Sequence, residues 1–83
     1  MDKMLDGKIC IVTGGGRGIG KATALLFAKE GGRVTISELD REPANETVAE
    51  IKKMGGHAIA VVGDITAPGA PEKLIQTTVD AFG

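Results

Sequence analysis

The sequence predicts an α/β fold in which three parallel strands alternate with three helices. Continuous apolar runs rich in β-branched residues occur at residues 9–12 and 58–62, and a weaker run of the same kind occurs at 34–37. Uninterrupted apolar character is typical of strands that are covered on both faces of a parallel sheet. Each run is followed by apolar residues at helical spacing. The resulting β-α-β-α-β-α order implies right-handed crossovers with helices flanking the sheet.

Proline and glycine positions set the limits of the three predicted helices. The first helix continues to Glu30, and Pro43 lies in the first turn of the second, where proline is tolerated. The third helix begins between Pro68 and Pro71. A glycine follows each helix, where a left-handed backbone is favoured. The apolar positions are Ile19, Ala22, Leu26 and Phe27 in the first helix, Ala44, Val48, Ile51 and Met54 in the second, and Leu74, Ile75, Thr78, Val79 and Phe82 in the third.

The composition is that of one small globular unit. The chain has 83 residues, of which 42% are hydrophobic and 25% charged, and its formal net charge is −1. Lysine and arginine are scattered, so we expect neither nucleic acid nor an anionic membrane as a partner. The single cysteine, Cys10, favours a reducing compartment. Because the sequence has no membrane-length apolar run and no signal-peptide core, it predicts a soluble, cytoplasmic protein. We also expect no metal site in it.

Five glycines crowd the turn between the first strand and the first helix, at positions 14, 15, 16, 18 and 20. Glycines allow a sharp turn and a close approach of the backbone to a pyrophosphate, while the helix N-terminus supplies free N–H groups and a partial positive charge. Glycine at position 20 allows close packing of the helix. The turn therefore predicts a nucleotide-binding site.

Two nucleotide-binding motifs compete for this turn. Residues 15–21 fit the G-x-x-x-x-G-K pattern of a phosphate loop for nucleoside triphosphates, but that pattern then needs Ser or Thr to hold Mg²⁺. Position 22 is alanine, and Thr23 lies about 100° further around the helix. The strict G-x-G-x-x-G pattern fails at Ile19. The pattern that fits is T-G-x-x-x-G-I-G, over residues 13–20.

This octet is similar to the cofactor signature of the short-chain dehydrogenase/reductase family, and the chain resembles that family along its whole length. The resemblance implies that the octet contacts a nicotinamide dinucleotide. The cofactor-binding residues that it implies here are Thr13, Gly14, Gly16, Arg17, Gly18, Ile19 and Gly20.

The ends of the second and third strands extend the resemblance. Glu38 would accept hydrogen bonds from the adenosine ribose and repel a 2′-phosphate, and Leu39 stands where NADP-preferring members often carry a basic residue. Asp64 and Ile65 resemble the Asp-aliphatic pair that contacts adenine. Arg17 argues the other way, because a basic residue there often accompanies NADP. The implied cofactor is NAD, with NADP possible. Ordinary surface or turn roles stay open for the two acids.

The resemblance implies a Rossmann-type doubly wound parallel sheet, of which residues 1–83 form the first β-α-β-α-β-α portion of a single dinucleotide-binding domain. Family members transfer hydride between nicotinamide and an alcohol or carbonyl carbon, using Tyr, Lys and Ser. The chain has no tyrosine, so no catalytic residue is assigned in it. We therefore expect a truncated part of a longer enzyme that acts on a small-molecule alcohol or carbonyl and forms a homo-oligomer.

Within the family, the loop region most resembles 3-oxoacyl-carrier-protein reductases and polyol or sugar dehydrogenases. Two alternatives stay open. One is a phosphate-loop module that binds a nucleoside triphosphate, and the other is a non-catalytic nucleotide-binding fragment.

Overall fold

A computed structural model describes residues 3–83, in which six elements alternate along the chain. The strands form one parallel sheet in the order β1-β2-β3. The predicted α/β alternation is confirmed. The strands are β1 (Ile9–Thr13), β2 (Arg33–Glu38) and β3 (His57–Val62), and the helices are α1 (Gly18–Lys29), α2 (Arg41–Lys53) and α3 (Ala70–Phe82).

The strands are slightly longer than the apolar runs that predicted them. The ladder pairs Ile9 of β1 with Arg33 of β2, and it pairs Glu38 of β2 with Val62 of β3. Polar residues therefore continue the backbone hydrogen bonding beyond each apolar core. Helix α3 begins at Ala70, with a proline in its first turn.

The two faces of β2 are covered by different helices. Val34 and Ile36 are fully buried in a core that also includes alanines of α1 and α2. Since side chains alternate across a strand, Thr35 faces the opposite side. There the Thr78 hydroxyl of α3 donates a hydrogen bond to the Thr35 hydroxyl over 3.0 Å. Helices α1 and α2 thus lie on one face of the sheet, and α3 lies on the other.

Strand β1 departs from the expectation that apolar strands are covered on both faces. It is an edge strand of the described sheet, and Ile9 and Ile11 remain 42% and 39% exposed. Cys10, between them, is half-buried and packs against the core. Burial raises the pKa of its thiol, so the group stays protonated at neutral pH. A protonated thiol is a poor nucleophile, so Cys10 is an unreactive side chain in this strand.

Among residues 3–83, no helix has the length and apolar character needed to cross a bilayer. The same residues contain no group of three or more His, Cys, Asp or Glu side chains placed to hold a metal ion.

Candidate cofactor site

The glycine-rich turn lies at the carboxyl ends of the strands, between the end of β1 and the start of α1. The Gly14 N–H donates to the Ser37 carbonyl of β2 over 2.7 Å, and the Gly63 N–H, just after β3, donates to the Glu38 carbonyl over 3.0 Å. These bonds hold the three strand ends together. In open parallel sheets the carboxyl edge is where ligands bind.

Helix α1 starts without a side-chain cap. Arg17 occupies the N-cap position in an extended conformation, and no side chain of the described residues bonds to the first-turn amides. These amides have no partner within the helix, so they remain available to an anion and carry the positive end of the helix dipole. Ile19 in this turn is 88% exposed. The start of α1 is therefore a donor surface next to an exposed apolar side chain.

Two positions show why the turn requires glycine. A Cβ at Gly20 would overlap the carbonyl oxygen of Gly14 and lie 2.7 Å from the Gly14 carbonyl carbon, so α1 packs directly on the turn. Gly18 has a φ of +52°, and a Cβ built there would meet no atom within 4 Å in the described residues other than Gly18 itself, its chain neighbours and the adjacent helix backbone. The first glycine fixes the shape of the turn. The second keeps its open side free of side-chain atoms.

Glu38, at the end of β2, joins that strand to the turn. Its Oε1 accepts the Gly16 N–H over 3.1 Å, and its Oε2 accepts the Asp40 N–H over 3.2 Å. The amide of Asp40, followed by that of Gly16, lowers the pKa of the Glu38 carboxyl, and nearby Arg17 adds to the effect. The group is therefore ionised at neutral pH. Each carboxylate oxygen retains a lone pair for a further donor.

The Arg17 side chain forms an ion pair that the sequence analysis missed. Its Nη2 lies 2.8 Å from Oδ2 of Asp40. Asp40 occupies the N-cap position of α2, but its side chain does not cap that helix. The sequence feature that could have indicated this pair is Asp40 itself, a second acid two positions after Glu38. Arg41, next along the chain, lies exposed at the start of α2.

After β3, Asp64 is held by its own turn. Its Oδ1 accepts the Thr66 hydroxyl over 2.6 Å and the Thr66 N–H over 2.8 Å. The hydroxyl contact first, and then the backbone contact, lower the pKa of the Asp64 carboxyl. The second carboxylate oxygen, Oδ2, has no hydrogen bond within the described residues. Thr66 was not singled out from the sequence, although its hydroxyl fixes the orientation of this acid.

Six of the eleven predicted site residues line one cleft at the carboxyl edge of the sheet. Its volume is about 210 Å³. The remaining predicted residues, at positions 16–20, form the adjoining turn and the start of α1. The cleft is lined by Thr13, Gly14, Ser37, Glu38, Leu39, Gly63, Asp64 and Ile65. The fold thus assembles three separate sequence segments into a single surface.

The geometry counts against a phosphate loop for nucleoside triphosphates. The lysine of such a loop reaches the phosphates, whereas Lys21 Nζ lies 3.0 Å from Oε2 of Glu50 on α2. The Thr23 hydroxyl donates to the Ile19 carbonyl over 2.8 Å within the helix. Both side chains are engaged within the helical layer.

We expect Lys21→Ala to leave nucleotide binding unchanged. The substitution removes one partly exposed ion pair, and such a pair contributes at most about 1 kcal/mol to stability. Isothermal titration of the full-length protein with ATP-Mg²⁺ and with NADH tests this expectation. Glu50→Ala is the matched control, because it breaks the same ion pair while keeping the lysine. ATP binding by the wild type that Lys21→Ala abolishes and Glu50→Ala retains would establish the phosphate-loop alternative.

Taken together, the parallel sheet, the glycine-rich turn and the cleft at the carboxyl edge define a Rossmann-type α/β unit. The family model for short chain dehydrogenases matches residues 8–83. The chain belongs to the short chain dehydrogenase family.

Named relatives agree with this membership. The chain is 42% identical over 77 residues to a Thermotoga maritima protein described as an uncharacterized oxidoreductase, covering 93% of this chain and 30% of that protein. It is 41% identical over 83 residues to the 2,5-dichloro-2,5-cyclohexadiene-1,4-diol dehydrogenase LinX of Sphingobium indicum, covering 100% of this chain and 33% of that enzyme.

Solved structures share the same fold. The crystal structure of a hydroxysteroid dehydrogenase from Escherichia coli superposes with a TM-score of 0.91 at 40% identity, covering 95% of this chain and 32% of that one. A short chain dehydrogenase from Mycobacterium smegmatis gives a TM-score of 0.90 at 37% identity, covering 100% and 36%. The chain spans about a third of the length of the relatives it matches.

Proposed function

We propose that this chain is the cofactor-binding N-terminal part of an oxidoreductase that interconverts an alcohol and a carbonyl and prefers NAD(H) to NADP(H). The observation that carries the proposal is the uncapped start of α1 behind an open glycine turn, with the ionised Glu38 carboxylate beside it. Amides and a helix dipole suit a pyrophosphate. A carboxylate suits the hydroxyls of a ribose and disfavours a phosphate in their place.

The turn and the helix fit a dinucleotide by shape and by donor chemistry. Apart from the neighbouring backbone, no atom of the described residues lies within 4 Å of a Cβ built at Gly14 or Gly18, so a pyrophosphate has room to approach the turn. The first-turn amides of α1 would donate to its oxygens. Arg17, at the same end of the helix, adds a positive charge.

The remaining residues of the cleft fit the adenosine half. The Glu38 carboxylate would accept the ribose hydroxyls through the lone pairs left free by the Gly16 and Asp40 amides. Asp64, oriented by Thr66, would accept from the amino group of adenine through Oδ2. Leu39 and Ile65 line the same cleft with apolar surface for the base. The nicotinamide of the bound cofactor supplies the hydride chemistry.

The proton-transfer residues of the reaction are proposed to lie in a part of the enzyme not contained in this chain. The chain has no tyrosine, and His57 lies exposed at the start of β3. The relatives that match this chain are about three times as long as it is. We propose a small-molecule substrate and a homo-oligomeric assembly for the whole enzyme, as is usual in the family. A reducing, cytoplasmic compartment accords with the lone cysteine, Cys10.

We expect the full-length protein to bind NADH more tightly than NADPH and Glu38→Gln to narrow that difference. The substitution removes the negative charge that favours ribose hydroxyls. A charge-assisted hydrogen bond contributes about 1.5–3 kcal/mol, so NADH affinity should fall at least about tenfold. NADPH affinity should fall less, because the substitution also removes the repulsion between Glu38 and the 2′-phosphate. Fluorescence titration measures both affinities. Glu46→Gln is the matched control, because Glu46 is an exposed acid of α2 that does not line the cleft.

Tighter binding of NADPH than of NADH by the wild type would contradict the NAD preference. Failure to bind either cofactor, in a protein shown to be folded by circular dichroism, would contradict the proposed function as a whole.

A further inference from the structure

Two residues beside the cleft give opposite indications about the cofactor, and a third residue reconciles them. A basic residue such as Arg17 can pair with a 2′-phosphate, whereas Glu38 disfavours one. We infer that Asp40 is a specificity-determining residue, which engages Arg17 and thereby keeps its guanidinium from serving a 2′-phosphate. This inference rests on the proposed function, because it concerns which dinucleotide the same cleft accepts.

The position of Asp40 supports this role. It is the N-cap residue of α2, and an aspartate in that position ordinarily accepts a hydrogen bond from the first turn of its own helix. Here no such side-chain bond forms. Its Oδ2 instead contacts the Arg17 guanidinium at 2.8 Å, which joins the start of α2 to the start of α1.

Glu38 fixes the backbone from which Asp40 acts. Its Oε2 accepts the Asp40 N–H, and its Oε1 accepts the N–H of Gly16, the residue before Arg17. One buried carboxylate therefore holds the backbone on both sides of the ion pair. These two contacts hold the backbone at Asp40 and next to Arg17, which places the two residues within reach of each other.

The local charge balance explains the effect on specificity. Arg17 carries one positive charge, whereas Glu38 and Asp40 carry two negative charges, which leaves this corner of the site with a net charge of about −1. A 2′-phosphate would bring close to two further negative charges. To recruit Arg17 it must separate the ion pair and leave the Asp40 carboxylate beside the phosphate. NAD(H), which has a ribose hydroxyl there, can bind with the pair intact.

The pair is open to solvent, with side chains 65% and 49% exposed, so it contributes little to folding. A substitution at Asp40 should thus alter cofactor choice without unfolding the protein. Asparagine is the suitable replacement, because it has nearly the same shape and is an equally good N-cap residue.

The test is a double-substitution cycle in the full-length protein, using Asp40→Asn, Arg17→Gln and the two together. Affinities for NADH and NADPH are measured by fluorescence titration at fixed ionic strength. We expect Asp40→Asn to raise NADPH affinity about tenfold, since it removes a like charge from the phosphate and frees Arg17, with NADH affinity changing less than about twofold. In the Arg17→Gln background the gain should shrink to about threefold or less. Glu46→Gln removes the same charge from an exposed site on α2 and should leave the NADPH-to-NADH ratio unchanged.

Three other outcomes would overturn the inference. An unchanged NADPH-to-NADH ratio in Asp40→Asn, with NADH still bound, would overturn the role of Asp40 and leave the proposed function standing. An equal gain with and without Arg17 would show that Asp40 acts by repulsion alone, which overturns the engagement of Arg17. A wild type that binds neither cofactor would overturn both this inference and the proposed function.

Discussion

Replacing Gly20 with alanine should abolish NADH binding by the full-length protein. The added Cβ would overlap the Gly14 carbonyl oxygen and lie 3.2 Å from the Gly15 nitrogen, so either α1 or the turn must move. Overpacking of this kind costs about 1–3 kcal/mol of stability. The larger effect falls on the ligand. Losing two amide contacts to a charged pyrophosphate, at about 1.5–3 kcal/mol each, weakens binding by at least about 100-fold.

Titration with NADH, together with thermal unfolding followed by circular dichroism, separates these two effects. Gly55→Ala is the control, since Gly55 has a positive φ of +85° that alanine would strain, but it lies in the turn after α2 and outside the cleft. It should lower stability by about 1–2 kcal/mol and leave NADH affinity unchanged. If a folded Gly20→Ala protein kept NADH affinity within about threefold of the wild type, the turn would not be the pyrophosphate site.

Much of the fold could be predicted because it depends on local patterns. The apolar runs that became β1, β2 and β3 are continuous in sequence, and the helical spacing that follows each run is equally local. The glycine turn was also accessible, since five glycines within seven residues have few other uses. Family resemblance then related Glu38 and Asp64 to the turn, and the structure brings both acids to the same cleft.

The side-chain partnerships could not be predicted in this way. The Arg17–Asp40 and Lys21–Glu50 pairs join residues that are far apart in sequence, and each depends on how α1 and α2 lie against each other. Ala22 already counted against a phosphate loop, but the local pattern around Lys21 does not indicate that this lysine pairs with Glu50 of the neighbouring helix. Similarly, Thr66 becomes relevant only because the turn after β3 brings its hydroxyl to the Asp64 carboxylate.

The expectation of strands covered on both faces succeeded for β2 and failed for β1, for one physical reason. An apolar run indicates that a strand is buried in the completed fold, but it does not indicate which segment covers it. In residues 3–83, α3 packs against β2 and β3, and the outer face of β1 is left exposed at Ile9 and Ile11. In the isolated segment these exposed side chains are available for contacts with other chains.

The 83-residue polypeptide, expressed by itself, should self-associate rather than unfold as a cooperative monomer, and it should be catalytically inactive. Ile9 and Ile11 lie on an edge strand with unpaired backbone groups, and Ile75 and Val79 of α3 are also at least half exposed. An apolar, unprotected edge of this kind promotes association between chains. Inactivity follows because the chain has no tyrosine to act as the proton donor used in this family.

Size-exclusion chromatography with light scattering, thermal unfolding, and NAD reduction over a panel of alcohols test both parts of this prediction. Ile11→Lys should reduce association, because a charge on an edge strand disfavours pairing with another chain. Leu26→Lys is the matched control, since Leu26 is a similarly exposed apolar residue, 54% exposed, but lies on helix α1 and not on the edge strand. It should leave association unchanged. A wild-type segment that is monomeric with a sharp unfolding transition would refute the first part, and NAD reduction above background would refute the second.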